Sequence, residues 1–221
     1  MTSAIYRLIW QSTLQTLTMV FFSTLFSVIL GLPLGILLSI TSPESQGGIR
    51  PKPVLNVILS KIVNVLRSVP FIILIIVLFP LSRLIIGTAI GTRATIVPLS
   101  IAAAPFVARL VETSLKEVDP GVVQAARTMG STNSQIVFKV LLPEALPSLI
   151  SGLTLTIINL IGYSAMAGAV GGGGLGDLAI RYGYQRFRPD VMAIAVIVIL
   201  LLVELIQFIG NKISAHMMAK R

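Results

Sequence analysis

The sequence predicts an all-helical membrane protein that crosses the bilayer several times. Of its 221 residues, 55% are hydrophobic and only 11% are charged, whereas soluble globular domains carry about a quarter charged residues. Five apolar stretches approach or exceed the ~20 residues that a helix needs to cross a bilayer. Long apolar runs lack the alternating pattern of barrel strands, so helices are the expected spanning structure. We therefore expect a single all-α domain over residues 1–221 with five transmembrane helices.

The charge and cysteine content exclude several classes of protein. A formal net charge of +9 would suggest nucleic-acid binding in a soluble protein. Here the basic residues cluster between apolar runs, which favours a role in membrane topology and contact with lipid headgroups over contact with nucleic acid. The chain has no cysteine, which excludes disulfides and thiolate metal sites.

The first span is expected within residues 14–40. No charged residue occurs between Leu8 and Pro43, and this run is longer than one crossing needs, so part of it must tilt or lie in the interface. It is also much longer than the apolar region of a signal peptide, and we expect it to be retained. Gly31 and Gly35 permit a kink or close helix packing near its end.

The second span is expected over residues 57–82. A loop rich in proline, glycine and polar residues precedes it over 41–53, as is typical of connections between helices. The segment from 54 to 67 is amphipathic, so the span begins with a partly solvated turn. Pro70 and Pro80 are expected to bend or end it.

The third span is expected over residues 94–115, after a glycine-rich turn. Its last part carries Arg109, Glu112 and Lys116, whose spacing of three and four places them on one helix face. We interpret these residues as an ion-pair cluster that anchors the helix at the membrane edge, with a docking role for the neighbouring loop as the alternative.

The fourth and fifth spans are expected over residues 146–170 and 191–210, separated by a glycine-rich segment and a polar, aromatic-rich turn. Glu204 lies within the fifth span, and an intramembrane carboxylate is a candidate for function. Because Lys212 follows near the end of the same span, we favour a structural or inter-helix role for Glu204, with proton coupling as the alternative.

Five spans place the two termini on opposite sides of the membrane. If the polar segment 116–144 is cytoplasmic, the N-terminus lies outside and the C-terminus inside. With Arg67 and Arg109 left out because they lie near span ends, nine basic residues then lie inside and six outside, a small bias in the direction of the positive-inside rule. The inside set is Arg50, Lys52, Lys61, Lys116, Arg127, Lys139, Lys212, Lys220 and Arg221, and the outside set is Arg7, Arg83, Arg93, Arg181, Arg186 and Arg188.

Segment 116–144 is the longest polar interruption and is itself expected to fold. Asp119 is a good N-cap, Pro120 suits the first helical position, and Gly130 can cap the C-terminus with a positive φ. A helix of about ten residues is marginal alone in water, so its apolar face must be buried against a partner or on lipid. That face is spaced i, i+3, i+4 and i+7: Val122, Ala125, Ala126 and Met129.

A second short helix is expected to follow directly. Thr132 and Gln135 have the spacing of a capping box, and apolar residues continue up to Leu141. Pro143 is expected to break this helix before the fourth span begins.

The same segment resembles the EAA loop of ATP-binding-cassette importer permeases. That motif reads Glu-Ala-Ala, three residues, Gly, nine residues, Ile, one residue and Leu-Pro. This chain departs from it at two positions, where Gln124 replaces Glu and Val140 replaces Ile. Further segments look like the permease subunit of bacterial methionine importers: LRSVPFIILIIVLFP, IVPLSIAAAPFVARLVE, KVLLPEALPSLISG and GYSAMAGAVGGGGLGDLA.

The resemblance implies a homodimeric permease in the bacterial inner membrane that imports D- or L-methionine by alternating access. It implies a cytoplasmic ATPase dimer that receives the coupling helix, and an extracytoplasmic binding protein that delivers the small amino acid. The residues implied in coupling are Val122, Gln124, Ala125, Ala126, Met129, Gly130, Leu142 and Pro143. A permease for another small nutrient, an ion- or proton-coupled secondary transporter and a non-transporting scaffold are the alternatives.

No motif for catalysis or for a cofactor is found. Gly171, Gly173 and Gly176 match G-x-G-x-x-G, but they follow a membrane span rather than a strand, so a packed turn is expected. A P-loop is absent from the sequence, so ATP hydrolysis would belong to a partner. His216 is the single histidine, and we expect no catalytic residue, metal site or cofactor.

Small residues in the fourth span provide a candidate gate. Tyr163, Ser164 and Met166 lie among them, and a flexible apolar methionine suits a dry constriction that can open. The hypothesis is that Met166 closes a translocation path near its outer end. Ordinary helix packing is the alternative.

Overall fold

The computed structural model describes residues 3–43 and 47–219 and contains helices but no strand over these ranges. The predicted all-α fold class is confirmed. Lys220 and Arg221 of the charge count, and residues 44–46 of the first loop, lie outside the described residues. The helices are α1 (Ser3–Thr41), α2 (Pro53–Ser68), α3 (Phe71–Val77), α4 (Phe79–Ile86), α5 (Thr92–Lys116), α6 (Pro120–Thr128), α7 (Asn133–Gln135), α8 (Leu142–Gly168), α9 (Gly174–Leu178) and α10 (Pro189–Met218), with π-helical turns at Ile136–Leu141 and Ala179–Tyr184.

Four helices in the described part of the chain are long and apolar enough to cross a membrane. They are α1, α5, the continuous helix Asn133–Gly168 and α10, while α2 and α3 pass the same test only as a pair. In α5, 67% of the most apolar stretch is buried, compared with 6% in α10. Helix α5 therefore packs mainly against its own chain, whereas α10 leaves most of its surface to lipid or to another chain.

The segment expected as one span over 57–82 is divided into three helices. The axes of α2 and α3 differ by 99°, and Pro70 stands between them with extended backbone angles. Proline cannot donate a backbone hydrogen bond and disfavours the helical conformation at the residue before it. The bend expected at Pro70 is therefore present. A helix also ends before Pro80, as expected, because α3 stops at Val77. Pro80 itself lies in the first turn of α4, where a missing N–H costs nothing.

Close packing joins α1 to α5 through two glycines. A Cβ atom on Gly31 would lie 2.6 Å from the carbonyl oxygen of Ala104, and one on Gly35 would lie 2.4 Å from that of Ala108. Both distances are shorter than any real contact, so the two backbones approach as closely as they do because these positions lack side chains. The spacing of four residues places both glycines on one face of α1.

The chain forms two compact units. Four of the five boundaries between them fall inside α1, α5, α8 and α10, and the fifth lies between α2 and α3. The first unit comprises residues 1–27, 69–103 and 155–208. Its larger apolar core draws on α1, α3, α5 and α8, and a smaller one joins α9 to the start of α10. The fully buried side chains of the larger core include Met19, Ile75, Leu99, Leu160 and Ile161.

The second unit comprises residues 28–68, 104–154 and 209–221. Its core forms where the last part of α5 meets α6 and the π-helical turn that follows α7. Val107, Val111 and Leu115 pack there against Ala126 of α6. This core positions the short helix α6, which the sequence singles out as the segment that meets another protein.

Candidate functional site

Helix α6 has the caps that the sequence predicts. The Asp119 carboxylate accepts a hydrogen bond from the backbone N–H of Gly121 at 2.7 Å, which satisfies one of the free donors at the helix start. At the other end Gly130 has a φ of +81°, and the N–H of Ser131 donates to the carbonyl oxygen of Ala126 at 3.1 Å. Both ends of α6 are therefore fixed by residues within the segment.

The capping box after α6 is also confirmed. The Thr132 backbone N–H donates to Oε1 of Gln135 at 2.8 Å, and the Gln135 N–H donates to Oγ1 of Thr132 at 3.4 Å. Two backbone donors at the start of α7 are thereby satisfied reciprocally.

The prediction that Pro143 ends this helix is wrong. One continuous helix runs from Asn133 to Gly168, with a π-helical turn over Ile136–Leu141 immediately before the proline. A π turn is wider than an α turn, and this extra width accommodates a ring that would press on the carbonyl of the preceding turn. The segment that follows α6 is therefore continuous with the fourth span.

Helix α6 divides into a packed side and an open side. Ala126 is buried and Val123 is half-buried against the core of the second unit. On the open side, Val122 is 40% exposed and Met129 is 85% exposed. Of the predicted apolar face, only Ala126 is buried within this chain, and Gln124, Ala125 and Gly130 are exposed as well. Val122, Ala125 and Met129 remain available to a partner.

Side chains that sequence reasoning did not single out hold α6 in place. A guanidinium N–H of Arg127 donates to the carbonyl oxygen of Ile49 at 3.3 Å, across 78 residues of sequence. The predicted cluster on α5 is confirmed, because Glu112 pairs with Arg109 and with Lys116 at 2.5 and 2.8 Å. Arg109 also donates to Oδ1 of Asn64 in α2 at 2.8 Å. No sequence spacing signals the long-range contacts.

Two cavities of opposite charge lie beside α6. One, of about 550 Å³, is lined by Lys116, Gln124 and Arg127 together with the first loop and α5. The other, also about 550 Å³, is lined by Glu117, Asp119 and Glu144 with several serines of α5, α8 and α10. Within residues 3–43 and 47–219, no group of three or more His, Cys, Asp and Glu side chains is placed to hold a metal ion.

The three candidate gate residues face different surroundings. The Tyr163 ring stacks on Phe71 with centroids 4.7 Å apart. Ser164 is buried, and its hydroxyl donates to the carbonyl oxygen of Ile161 at 2.7 Å. Only Met166, at 51% exposure, points away from its own chain. The structure thus assigns Tyr163 and Ser164 packing contacts and leaves Met166 exposed.

The exposed face of α8 contains a residue that sequence reasoning missed. Leu155, Asn159, Gly162 and Met166 recur at spacings of four, three and four, and all four are exposed. Nothing in the chain lies within 4 Å of a Cβ placed on Gly162. A polar amide on the surface of a spanning helix is unfavourable in lipid, so this face is suited to water or to another protein. The helical spacing of Asn159 from Met166 is the signal that would have identified it.

The glycine-rich segment after α8 is a tight turn. Gly171, Gly173 and Gly174 all have positive φ angles. The N–H of Gly174 donates to Oε1 of Gln15 at 2.9 Å, and that of Leu175 to Oγ1 of Thr16 at 2.9 Å. Two backbone amides of this segment are therefore engaged by side chains of α1.

Comparison with known proteins identifies relatives over most of the chain. Residues 31–217 match the family described as the binding-protein-dependent transport system inner membrane component. A probable D-methionine transport system permease of Pasteurella multocida is 52% identical and covers 97% of each chain. A methionine import system permease of Bacillus subtilis is 48% identical over 77% of each chain. A methionine ABC transporter has been solved in inward-facing conformations, and one of its chains is 46% identical to this chain. The two chains match with a TM-score of 0.95 over 98% of this chain and 99% of that one.

Proposed function

The chain belongs to the family of binding-protein-dependent transport system inner membrane components, and on this premise we propose that it is the permease subunit of an ATP-driven importer of D- or L-methionine. It is a multi-pass inner-membrane protein. The sequence contains no P-loop, so a separate ATPase dimer supplies the energy. A second copy of the chain completes the translocation path, and a soluble binding protein delivers the amino acid.

The open side of α6 is the observation that carries this proposal. Its caps and its contacts with the second unit hold the helix firmly, while Met129 is 85% exposed. A groove on the ATPase that covers this apolar side would gain about 1.5–3 kcal/mol per large side chain. Of the coupling residues named from the sequence, Ala126 and Leu142 pack on the core of the second unit and hold the segment in place. We assign the docking surface to the exposed ones: Val122, Gln124, Ala125, Met129, Gly130 and Pro143.

The helix Asn133–Gly168 would transmit motion of α6 into the membrane. Because this helix is continuous through Pro143, a displacement of α6 that the short turn after it passes on would reach the fourth span along a single helix. We propose that Met166 on the exposed face of α8 closes the path, and that Tyr163 and Ser164 support it by packing. In this arrangement α6 and the C-terminus lie in the cytoplasm and the N-terminus lies outside, and the whole chain acts as one permease domain.

Reconstituted uptake tests the proposal. The permease is purified with its ATPase, placed in liposomes with the binding protein, and given labelled methionine with competing amino acids. We expect uptake that requires ATP and is reduced by unlabelled methionine. Preferential competition by another small amino acid would change the substrate but keep the mechanism.

One observation favours a transporter of a different class. Glu204 is exposed at the middle of α10, as a carboxylate that binds a proton or another cation would be. Uptake driven by a proton gradient without any ATPase would establish that alternative and exclude the importer.

A further inference from the structure

Helix α2 carries an arginine whose charge is not paired within its own chain. Arg67 is exposed, and its guanidinium lies 4.7 Å from the centroid of the Phe106 ring of α5. In the described part of the chain Arg67 forms no ion pair with a carboxylate. The face of a ring attracts the positive charge, but the N–H donors of the guanidinium are left to other acceptors. Arg67 is therefore able to bind an anion.

A neighbouring arginine shows the contrast with a structural role. Arg109 of α5 pairs with Glu112 at 2.5 Å and donates to Oδ1 of Asn64 in α2 at 2.8 Å. Arg67 follows Asn64 by three residues, and Phe106 precedes Arg109 by three residues. Residues three apart share a helix face, so the two arginines occupy successive layers of one contact between α2 and α5. Arg109 is tied to polar groups of its own chain, whereas Arg67 has only the ring.

Contacts along α2 show that it runs from the ends of α1 and α5 towards their middles. Near its start, Asn56 donates to Oγ1 of Thr41, the last residue of α1, at 3.2 Å. Two turns further on, Val63 is fully buried in a small core with Leu38 and Ala108. Each step along α2 therefore contacts residues farther from the membrane edge.

The contact of Arg67 with Phe106 lies deep in the bilayer. Phe106 precedes Lys116, the last residue of α5, by about 15 Å of helix. With α6 in the cytoplasm, Lys116 lies at the inner edge of a hydrocarbon core about 30 Å thick. The sequence placed Arg67 near the end of a span, but its contact on α5 places it near mid-depth.

A charged side chain at this depth is costly unless it faces water or a polar partner, and such residues mark the pathways of substrates and ions. Lipid tails offer the exposed guanidinium of Arg67 neither water nor a partner. We therefore expect this side chain to face the translocation path.

We propose that Arg67 binds the carboxylate of the amino acid as it crosses the membrane. This inference deepens the proposed function and rests on it, because the direction of the path and the class of substrate come from there. A guanidinium presents its N–H groups as a planar fork that pairs with a carboxylate through two hydrogen bonds. An ionised carboxylate is expensive to bury without such a partner. Every amino acid has this group, so Arg67 would hold the substrate without selecting its side chain.

Direct binding of methionine to the complex tests the proposal. The permease–ATPase complex is placed in nanodiscs without the binding protein, and the dissociation constant of labelled methionine is measured, with the isolated ATPase as the reference. We expect Arg67→Gln to weaken binding by the permease about tenfold or more, because a charge-assisted pair is lost. Normal binding by Arg67→Gln, or no saturable binding by the original complex beyond that of the ATPase, would overturn the proposal.

The matched control is Lys61→Gln. It removes another exposed positive charge from α2, six residues nearer to the membrane edge. We expect this variant to bind methionine within about twofold of the original, because a screened charge at a distance contributes little. Equal weakening by Lys61→Gln and Arg67→Gln would assign the effect to overall charge and overturn the specific contact.

A second ligand separates a carboxylate contact from a structural effect. Methionine amide keeps the side chain and the amino group of methionine but has a neutral amide in place of the carboxylate. We expect the original complex to bind it about tenfold more weakly than methionine. Arg67→Gln should bind the two ligands within about threefold of each other, since the cycle isolates the lost pair. If the substitution weakens both ligands equally, Arg67 has a structural role and the proposal is overturned.

Arg67→Lys keeps the charge but loses the planar fork. We expect its affinity for methionine to lie between those of the original and of Arg67→Gln. Weaker binding by the lysine variant than by the glutamine variant would contradict a role of the charge. Normal methionine binding by Arg67→Gln, combined with a lower thermal stability of the complex, would show that Arg67 pairs within the assembly instead.

Reconstituted uptake distinguishes failure of this inference from failure of the proposed function. If the original complex imports no methionine with ATP, the proposed function itself fails. If it imports normally while Arg67→Gln binds methionine normally, only the carboxylate contact fails. We expect Arg67→Gln to lower the maximal rate of uptake and to leave the half-saturating concentration of the binding protein unchanged. A change confined to that concentration would assign Arg67 to docking and overturn the contact.

Discussion

Gly130 combines a φ of +81° with open space around the position that a Cβ would occupy. Within this chain, any effect of a side chain there must therefore act through the backbone rather than through a clash. Glycine adopts this conformation freely, whereas other residues pay roughly 1–2 kcal/mol for it, and β-branched residues pay more. The residue thus sets the path of the chain between α6 and the helix that follows it.

We expect Gly130→Val to uncouple ATP hydrolysis from uptake while the protein stays in the membrane. The strained cap would displace α6 from its partner groove without changing its apolar face. The measurement is the ratio of methionine taken up to ATP hydrolysed in liposomes. Gly130→Asn is the control, since asparagine tolerates the left-handed region, and it should retain most of the coupling. Unaltered uptake by the valine variant would count against the role of this cap.

Met166 provides a second prediction at the scale of one residue. At 51% exposure, its side chain can be shortened without opening a core of its own chain. We expect Met166→Ala to raise the leak of labelled substrate or the basal rate of ATP hydrolysis. Leu155→Ala, which shortens another exposed side chain on the same face of α8 (56% exposed), should leave the leak unchanged. If leak and basal hydrolysis both match the original protein in Met166→Ala, this residue is not the gate.

At the scale of elements, the contact of α1 with α5 depends on glycine. Both Gly31 and Gly35 face backbone carbonyls of α5 at distances that exclude even a methyl group. Backbone cannot yield as the end of a flexible side chain can. A larger residue must therefore separate the two helices over a full turn.

We expect Gly35→Ala to destabilise the protein by about 1–3 kcal/mol, the usual cost of overpacking. The measurement is the temperature at which the detergent-purified complex loses its monodisperse elution. Gly162→Ala is the matched control, because the same methyl group would enter open space within this chain and a helical alanine is favoured over glycine. Equal thermal stability of the Gly35 variant and the original would refute the close packing.

Proline shows how element boundaries are decided. Pro70 and Pro143 look alike in the sequence, since each interrupts an apolar run. Yet the chain turns by 99° at the first and continues through the second by means of a π-helical turn. For both prolines the local sequence shows only that one backbone hydrogen bond is missing. At Pro143 the helix continues, and the π turn before it packs against the core of the second unit.

At the scale of the whole molecule, Glu204 distinguishes the two classes of transporter. It is exposed at the middle of the least buried spanning helix, and a charge in the bilayer core is costly. We expect Glu204→Gln to keep ATP-driven uptake, because the energy comes from the ATPase. Uptake should also be unaffected when a protonophore collapses the proton gradient.

The control for this prediction is Glu204→Asp, which keeps a carboxylate at the same position and should leave both uptake and the amount of protein in the membrane unchanged. Loss of uptake by Glu204→Gln at normal membrane levels, together with sensitivity to the protonophore, would support ion coupling instead.

The sequence alone determined the helical class, the caps of α6 and the apolar face of that helix. The helical class follows from the apolar composition of the chain. The caps of α6 depend on hydrogen bonds between residues two to five positions apart, so their spacing in the sequence is enough to predict them. The α5 ion-pair cluster was predictable for the same reason, because residues three and four apart on a helix are neighbours.

Only the tertiary structure shows which side of α6 is packed and which side is open. It alone brings Arg127 to the carbonyl oxygen of Ile49, 78 residues away in the sequence. It also decided that Met166, rather than Tyr163 or Ser164, faces away from the chain, and that Phe187 is held in the left-handed region. These properties depend on contacts between residues distant in sequence. Helical periodicity identifies the faces of a helix, but only the neighbouring helices determine which face is covered.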